Sequence, residues 1–309
     1  MYGKRNEHSK VTVIAPAKIN LSLDITGTDE RGYHLLDMLM QSVSIYEKIT
    51  LTKQQRNVTI SSNTRYIPTD SKNVAVKAAL EFFKATGVRG GVHIYVKKTV
   101  PIKAGMAGGS ADAAGVLVGL NKLYRTNLSR ERLCEIGLKA GSDVPFMIVG
   151  GTKRVQGTGE IILPAPAMPK CYIVVCMPAR GVSTPTAFAN YDSLTEKIPV
   201  DTEGLMAALS DGDLRRIAQK TANVLEPAAA SPDTEPIKEK LINNGALGAV
   251  MTGSGARVFG IFDDENKRRL AAESFKGKVR SVFLAHPVPH GAIIINDRKR
   301  RNSADYTRG

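Results

Sequence analysis

The residues best suited to chemistry form a glycine-rich segment that runs directly into a helical pattern. Gly105, Gly108 and Gly109 are followed by Ser110 and an alanine-rich stretch. Glycines let the backbone turn tightly, and a helix N-terminus presents unpaired N–H groups at the positive end of its dipole. The segment therefore predicts a phosphate-binding loop, with an ordinary turn from strand to helix as the competing interpretation. It is not a Walker A loop, because no Gly-Lys-Ser/Thr follows.

Other polar residues are individually less informative. Lys18 and Asn20 lie at a joint between two strand-like pieces, where a pair of solvent-facing polar side chains is the simplest interpretation. Asp143 follows the end of a helical pattern, as an ordinary turn aspartate does. Tyr33 and His34 follow a turn, where such a pair more often packs on the surface than contacts a ligand. Each of these signals, taken alone, favours a structural role.

A second glycine segment occurs in the C-terminal half of the chain. Gly253, Ser254 and Gly255 lie between two strand-like runs and predict a hairpin turn. The segment lacks the third glycine of a dinucleotide-binding fingerprint.

The elements that must position these residues alternate between strands and helices without a regular βαβ order, which predicts an α+β fold. In the first half we expect strands over 11–25 (two pieces split by Pro16), 42–53, 58–62 and 92–96, and helices over 73–86, 110–124 and 129–141. In the second half we expect strands over 172–176, 257–262 and 279–284, and helices over 205–209, 214–225, 237–243 and 267–275.

A proline-rich stretch divides the chain. Three prolines between Leu163 and Pro169 cannot continue a helix or a central strand, so we place a domain boundary there. The predicted organisation is an N-terminal domain over 1–163, a C-terminal domain over 170–290 and a basic, poorly ordered tail over 291–309.

The net charge of +14 admits two interpretations, a nucleic-acid or acidic-membrane partner and a basic surface that attracts anionic substrates. The basic residues are scattered, with one cluster at 298–301. Three cysteines without a Cys-x-x-Cys pair, and an N-terminus without an apolar core, indicate a cytoplasmic protein with reduced thiols. No apolar run is long enough to span a bilayer, so we expect no membrane association.

Three segments carry a family resemblance when taken together and in order. They are APAKINLSL at Ala15–Leu23, PIKAGMAGGSADAA at Pro101–Ala114 and GAVMTGSGARVF at Gly248–Phe259. In this order, and with Gly-Tyr-His at 32–34, the sequence resembles the GHMP kinase superfamily of small-molecule kinases over nearly its whole length. The resemblance implies a ribosomal-S5-like N-terminal domain and a ferredoxin-like C-terminal domain.

The resemblance also implies roles for individual residues. Asp143 would be the general base, with Lys18 beside it to compensate charge. ATP would contact Pro101, Lys103, Ala104, Gly105, Met106, Ala107, Gly108, Gly109, Ser110, Ala111, Asp112 and Asn73. The acceptor would contact Asn20, Tyr33, His34, Thr184, Gly253, Ser254 and Gly255.

The implied reaction is ATP-dependent phosphorylation of the 2-hydroxyl of a cytidyl diphosphate ester in the non-mevalonate isoprenoid route, with Mg²⁺. Tyr33 and His34 would grip the cytosine. Ala111 replaces a second loop hydroxyl of many relatives, so no residue is assigned to the metal. Lys103 stands where relatives have a small residue, and two interpretations are open for it: contact with a phosphate or exposure to water. The alternatives are another kinase of the family, of the homoserine or mevalonate type, and a basic RNA-binding module.

Overall fold

The computed structural model describes residues 9–100 and 105–295. The expected residues Pro101, Lys103 and Ala104 and the basic cluster at 298–301 lie outside this range. The strands are β1 (Lys10–Thr28), β2 (His34–Gln54), β3 (Val58–Ser62), β4 (Gly91–Lys97), β5 (Thr152–Gly157), β6 (Ile161–Pro164), β7 (Tyr172–Met177), β8 (Ala222–Asn223), β9 (Gly248–Thr252), β10 (Arg257–Phe262), β11 (Ser281–Ala285) and β12 (Ile293–Ile295). The helices are α1 (Val74–Thr86), α2 (Gly108–Tyr124), α3 (Arg130–Ala140), α4 (Val144–Val149), α5 (Thr184–Asp192), α6 (Thr202–Asp211), α7 (Leu214–Lys220), α8 (Leu225–Ala229), α9 (Thr234–Asn243) and α10 (Glu265–Ser274).

Eight strands form the first sheet, in the order β12-β1-β2-β4-β3, with β5 and β6 continuing from β2 and the short β8 beside β1. The prediction of two strands within 11–25 is wrong, because β1 is one strand of 19 residues. Its pairing with β2 shifts register between Pro16 and Ala17 and again between Asn20 and Ser22. Such bulges bend a strand without ending it, which lets the chain pass Pro16.

Helix α2 packs across β1 and β2 and carries the glycine loop at its N-terminus. Its close approach depends on small residues, since a Cβ at Gly119 would lie 2.5 Å from Leu51 Cδ1 and 3.0 Å from Val13 Cγ2. Helix α1 begins and ends where the sequence predicts. Asn73 accepts a hydrogen bond from the Ala75 N–H, and Gly87 adopts the left-handed conformation at φ 66°.

The second sheet is antiparallel, in the order β11-β7-β10-β9, with helices α9 and α10 against it. The predicted hairpin at Gly253–Gly255 is confirmed, because β9 and β10 pair directly from Thr252 opposite Arg257. Mixed helices and sheets confirm the α+β class. No helix among residues 9–100 and 105–295 is long and apolar enough to cross a bilayer.

One predicted helix is shorter than expected. The helix expected over 214–225 is interrupted, because Ala222 and Asn223 pair with β1 in parallel as β8. Within the tail expected over 291–309, Ile293–Ile295 pair with β1 as β12, and residues 296–309 lie outside the described range. The domain boundaries stay a prediction, although β8 and β12 bring the second half of the chain to the first sheet.

Candidate active site

A cavity of about 760 Å³ lies between the glycine loop, β1, β2 and the β9–β10 turn. It brings together most of the residues singled out from the sequence: Lys18, Tyr33, His34, Asn73, Gly105, Ala107, Gly108, Gly109, Asp112, Asp143, Thr184, Gly253 and Ser254. Five other expected residues do not line it: Asn20, Met106, Ser110, Ala111 and Gly255. Asn73 lines the cavity, but its side chain also bonds the Ala75 N–H and the Pro68 carbonyl.

The glycine loop enters α2 with its backbone donors exposed. Gly105 and Ala107 both have positive φ, at 61° and 55°. Ala107 occupies the N-cap position and provides no side-chain hydrogen bond to the first turn. The N-cap side chain therefore leaves the first N–H groups of α2 free, and Gly108 and Gly109 line the cavity at the positive end of the helix dipole. This arrangement suits a phosphate chain.

Lys18 and Asn20 are buried, with 5 % and 1 % of their surface exposed, which overturns the interpretation of a solvent-facing pair. The Lys18 Nζ donates to Asn20 Oδ1 at 2.6 Å, and the Asn20 N–H donates to Thr252 Oγ1 at 2.9 Å. Burial lowers the pKa of Lys18, and the charge of Asp143 opposes that shift. Asn20 therefore lies behind Lys18 and orients it toward the cavity rather than lining the cavity itself.

Asp143 precedes α4 as its N-cap residue, but its side chain makes no capping hydrogen bond. The carboxylate is half-buried, lines the cavity and interacts electrostatically with Lys18. An N-cap aspartate whose oxygens leave the helix N–H groups free keeps acceptor capacity for another partner. Asp143 can therefore accept a proton while the Lys18 Nζ is held near it.

The two glycine loops touch each other across the cavity floor. A Cβ at Gly253 would lie 2.9 Å from the Gly105 carbonyl oxygen, so only glycine fits there at φ 67°. The Ser254 and Thr184 hydroxyls lie 2.7 Å apart at the rim. These contacts place a hydroxyl pair next to the glycine loop.

An aromatic end closes the cavity on the β2 side. His34 Nε2 lies 2.9 Å from Asp192 Oδ1, and its ring centroid lies 4.7 Å from that of Phe188. Tyr33 is 61 % exposed, with Arg31 over its ring at 5.3 Å. The aromatic end can thus stack on a flat ring and offer it a polar ring nitrogen.

Behind the loop lies a buried cluster of charges that the sequence analysis missed. Lys98 Nζ lies 2.6 Å from Glu47 Oε1 and 2.8 Å from Asp112 Oδ2. Glu47 also accepts the Thr99 N–H at 2.9 Å, while Asp112 Oδ1 has no hydrogen-bond partner among the described residues. Burial raises the pKa of Asp112 to about 8; Lys98 opposes this shift and Glu47 adds to it.

Phe188 was also missed. It lies in α5, a helix that the periodicity did not reveal, although Ser183 and Pro185 are an N-cap and an early helix proline. Glu47 lies in β2 and Lys98 follows the end of β4, and both were missed because local sequence gives no signal for a partner on a distant helix. None of the described residues forms a group of three or more His, Cys, Asp or Glu that could hold a metal ion.

Phosphoryl transfer to an alcohol depends on positioning and charge stabilisation. The cavity supplies what this reaction needs: a helix N-terminus for the phosphates, together with a lysine and an aspartate. The fold and the site define a small-molecule kinase.

The chain belongs to the GHMP kinase family. Residues 73–151 match the family of GHMP kinases N terminal domain, and residues 205–280 match GHMP kinases C terminal. The two-domain fold expected from the resemblance is confirmed. Kinases of this family use ATP as co-substrate.

Similar curated proteins span almost the whole chain. A 4-diphosphocytidyl-2-C-methyl-D-erythritol kinase of Clostridium perfringens is 45 % identical over 279 residues, which cover 89 % of this chain and 97 % of that protein. The protein of the same name from Caldicellulosiruptor bescii is 40 % identical over 273 residues, which cover 87 % and 96 %.

Solved structures agree in fold. A 4-(cytidine 5′-diphospho)-2C-methyl-D-erythritol kinase superposes with a TM-score of 0.76 at 29 % identity, covering 89 % of this chain and 98 % of that chain. A homoserine kinase from Cytophaga hutchinsonii reaches a TM-score of 0.77 at 20 % identity, covering 96 % of this chain and 100 % of that chain. The second likeness shows the fold alone.

Proposed function

We propose that this protein transfers the γ-phosphoryl group of ATP to the 2-hydroxyl of 4-diphosphocytidyl-2-C-methyl-D-erythritol, as a cytoplasmic enzyme of isoprenoid synthesis. One observation carries the proposal: a single cavity joins an uncapped helix N-terminus, the Lys18–Asp143 pair and an aromatic end. The names of the relatives that match along the chain support the choice of acceptor.

The triphosphate occupies the glycine loop in this proposal. The backbone N–H groups at Gly108, Gly109 and Ser110 offset the phosphate charge without reorganising, which is worth most in a site that excludes water. A bound Mg²⁺ would supply charge compensation to the phosphates, and no residue of the chain is assigned to hold it.

Asp143 acts as the general base. Its carboxylate accepts the proton of the acceptor hydroxyl as the oxygen attacks the γ-phosphorus in line. Lys18, which bonds Asn20 and interacts electrostatically with Asp143, stabilises in this proposal the negative charge that builds up on the oxygens of the transferring group. Burial makes this interaction stronger than it would be in water.

The aromatic end holds the cytosine. The His34 and Phe188 rings form a tilted pair, and Tyr33 adds an exposed ring beside them. The hydroxyls of Thr184 and Ser254 lie between this end and the glycine loop, where the acceptor's diphosphate would pass. A homoserine or mevalonate acceptor has no ring for these residues to bind.

An ADP-release assay with a panel of acceptors tests the proposal. We expect turnover with the cytidyl diphosphate acceptor and none above background with homoserine or mevalonate. Equal turnover with a non-cytidyl alcohol would identify another member of the kinase family. No ADP release with any acceptor, combined with tight and salt-sensitive RNA binding, would favour the RNA-binding module.

A further inference from the structure

Arg257, the first residue of β10, is a buried cation without an anion. Only 5 % of its surface is exposed, and no carboxylate in residues 9–100 and 105–295 forms an ion pair with it. Its Nη1 donates to the Gly255 carbonyl at 2.7 Å, and its Nε has no partner within that part of the chain. Burying an uncompensated charge is costly, so such a group is expected to meet an anion in the working protein.

The guanidinium lies where the two glycine loops meet. A Cβ at Gly105 would lie 3.7 Å from Nη1, and a Cβ at Gly181 would lie 3.7 Å from Nη2. Gly105 also touches Gly253 through its carbonyl. Arg257 does not line the cavity itself, so its charge sits one layer behind the wall that Gly105 and Gly253 form.

The surroundings of Arg257 leave its charge in place. Burial lowers its pKa to about 10, and the positive charge of Arg280 adds to this shift. Because this value is well above neutral pH, the guanidinium stays protonated there. An anion in front of Gly105 would offset both the desolvation and the repulsion from Arg280.

We propose that Arg257 is a positioning residue for the ATP polyphosphate. It supplies a fixed positive field behind Gly105 and ties the Gly253–Gly255 turn to the phosphate loop through the Gly255 carbonyl. The inference rests on the proposed function, since it takes ATP as the ligand of the glycine loop. Removal of the charge is therefore expected to weaken nucleotide binding in proportion to the number of phosphates.

The test compares Arg257→Gln and Arg257→Lys by titration calorimetry with ATP, ADP and AMP. Glutamine keeps a donor for the Gly255 carbonyl and loses the charge, whereas lysine keeps the charge. We expect Arg257→Gln to weaken the binding of ATP about tenfold or more, as loss of a charge-assisted interaction does. The binding of ADP should weaken less, and that of AMP least. Arg257→Lys should keep most of the affinity for ATP.

Arg268→Met is the matched control. Arg268 is another mostly buried arginine of the C-terminal half, but it pairs with Glu265 and lies over the Tyr172 ring, away from the cavity. The ATP affinity of the Arg268→Met variant should equal that of the wild type. If Arg257→Gln does not fold, Arg257→Met provides the neutral variant, with a similar alkyl chain.

Unchanged ATP affinity in the neutral variant, or equal losses for ATP and AMP, would overturn the inference and leave a packing role. The same loss of ATP affinity in Arg268→Met would overturn it too. Failure of the wild type to bind ATP would instead overturn the proposed function, so the two failures are distinguishable.

Discussion

Lys18 illustrates how burial determines what a residue can do. On a strand joint in the sequence it has the appearance of a surface lysine, yet β1 runs unbroken and places it inside the cavity wall with Asn20 as a partner. Alternation along a strand reports which residues share a face, not whether a second domain covers that face. The types of the site residues were therefore predictable, while the burial of this pair was not.

His34 belongs to the aromatic end, so its loss should affect one substrate. We expect His34→Ala to raise KM for the cytidyl acceptor about tenfold or more while KM for ATP changes little, because in the proposed site the His34 ring contacts the cytosine and not the ATP. Steady-state kinetics with each substrate varied in turn measure this split. The control is His93→Ala, whose ring bonds Thr59 and Ser61 on a distant strand pair. Equal rises in both KM values would exclude a role in recognising the base.

The buried charge cluster makes stability depend on pH. One ammonium, Lys98, faces two carboxylates, so a proton held on Asp112 makes the cluster neutral. Because the pKa of Asp112 in the folded protein, about 8, lies above its ordinary value of 3.8, the stabilisation by this proton is complete below pH 3.8. It is lost progressively as the pH rises toward the upper value.

Asp112→Asn tests this dependence, since asparagine resembles the protonated acid. We expect the variant's stability deficit relative to wild type to shrink as the pH rises from about 5 to 8.5, by up to ~1.4 kcal/mol per pH unit. Urea unfolding at several pH values measures it. A deficit that is constant or grows with pH would mean that Asp112 is ionised in the folded protein.

Among the elements, those with complete local signals were predictable. Helix α1 has its capping asparagine and its terminal glycine, and the β9–β10 hairpin has a glycine turn between two apolar runs. Strand β8 has two residues and exists only because it pairs with β1, so no local pattern could reveal it. Strand β12 likewise forms through long-range pairing with β1, which no local pattern indicates.

The segment that leads into β12 packs against α4, the helix that follows Asp143. Ala292 donates to the Met147 carbonyl at 2.9 Å, and a Cβ at Gly291 would lie 2.5 Å from the backbone oxygens of Met147 and Ile148. We expect Gly291→Ala to lower the free energy of unfolding by about 1–3 kcal/mol, as overpacking does. Denaturant unfolding measures this change.

Gly109→Ala is the control, because a Cβ there meets nothing within 4 Å. In a helix this substitution should be neutral or stabilise the fold by up to about 1 kcal/mol. Equal stabilities of the Gly291→Ala and Gly109→Ala variants would show that the C-terminal segment shifts freely and does not constrain α4.

At the scale of the whole molecule, the β9–β10 turn of the second sheet and strands of the first sheet line one cavity, and the chain carries a net charge of +14. The α+β class followed from the mixed pattern, whereas the two-domain architecture came from the family resemblance. The positive field should raise capture rates more than the chemical step.

We therefore expect kcat/KM for both substrates to fall as NaCl rises from about 50 to 500 mM, while kcat changes less, because salt screens the long-range field. The measurement is a steady-state series with the coupling enzymes verified to be in excess at each salt concentration. If kcat/KM does not change with salt, the basic surface does not act by attracting the substrates.

If Asp143 takes the proton of the acceptor hydroxyl, its replacement by asparagine should slow turnover without weakening binding. We expect Asp143→Asn to lower kcat by about a hundredfold or more, with ATP and acceptor affinities within a few-fold of the wild type. An Asp143→Asn enzyme that keeps a kcat within about threefold of the wild type would contradict it.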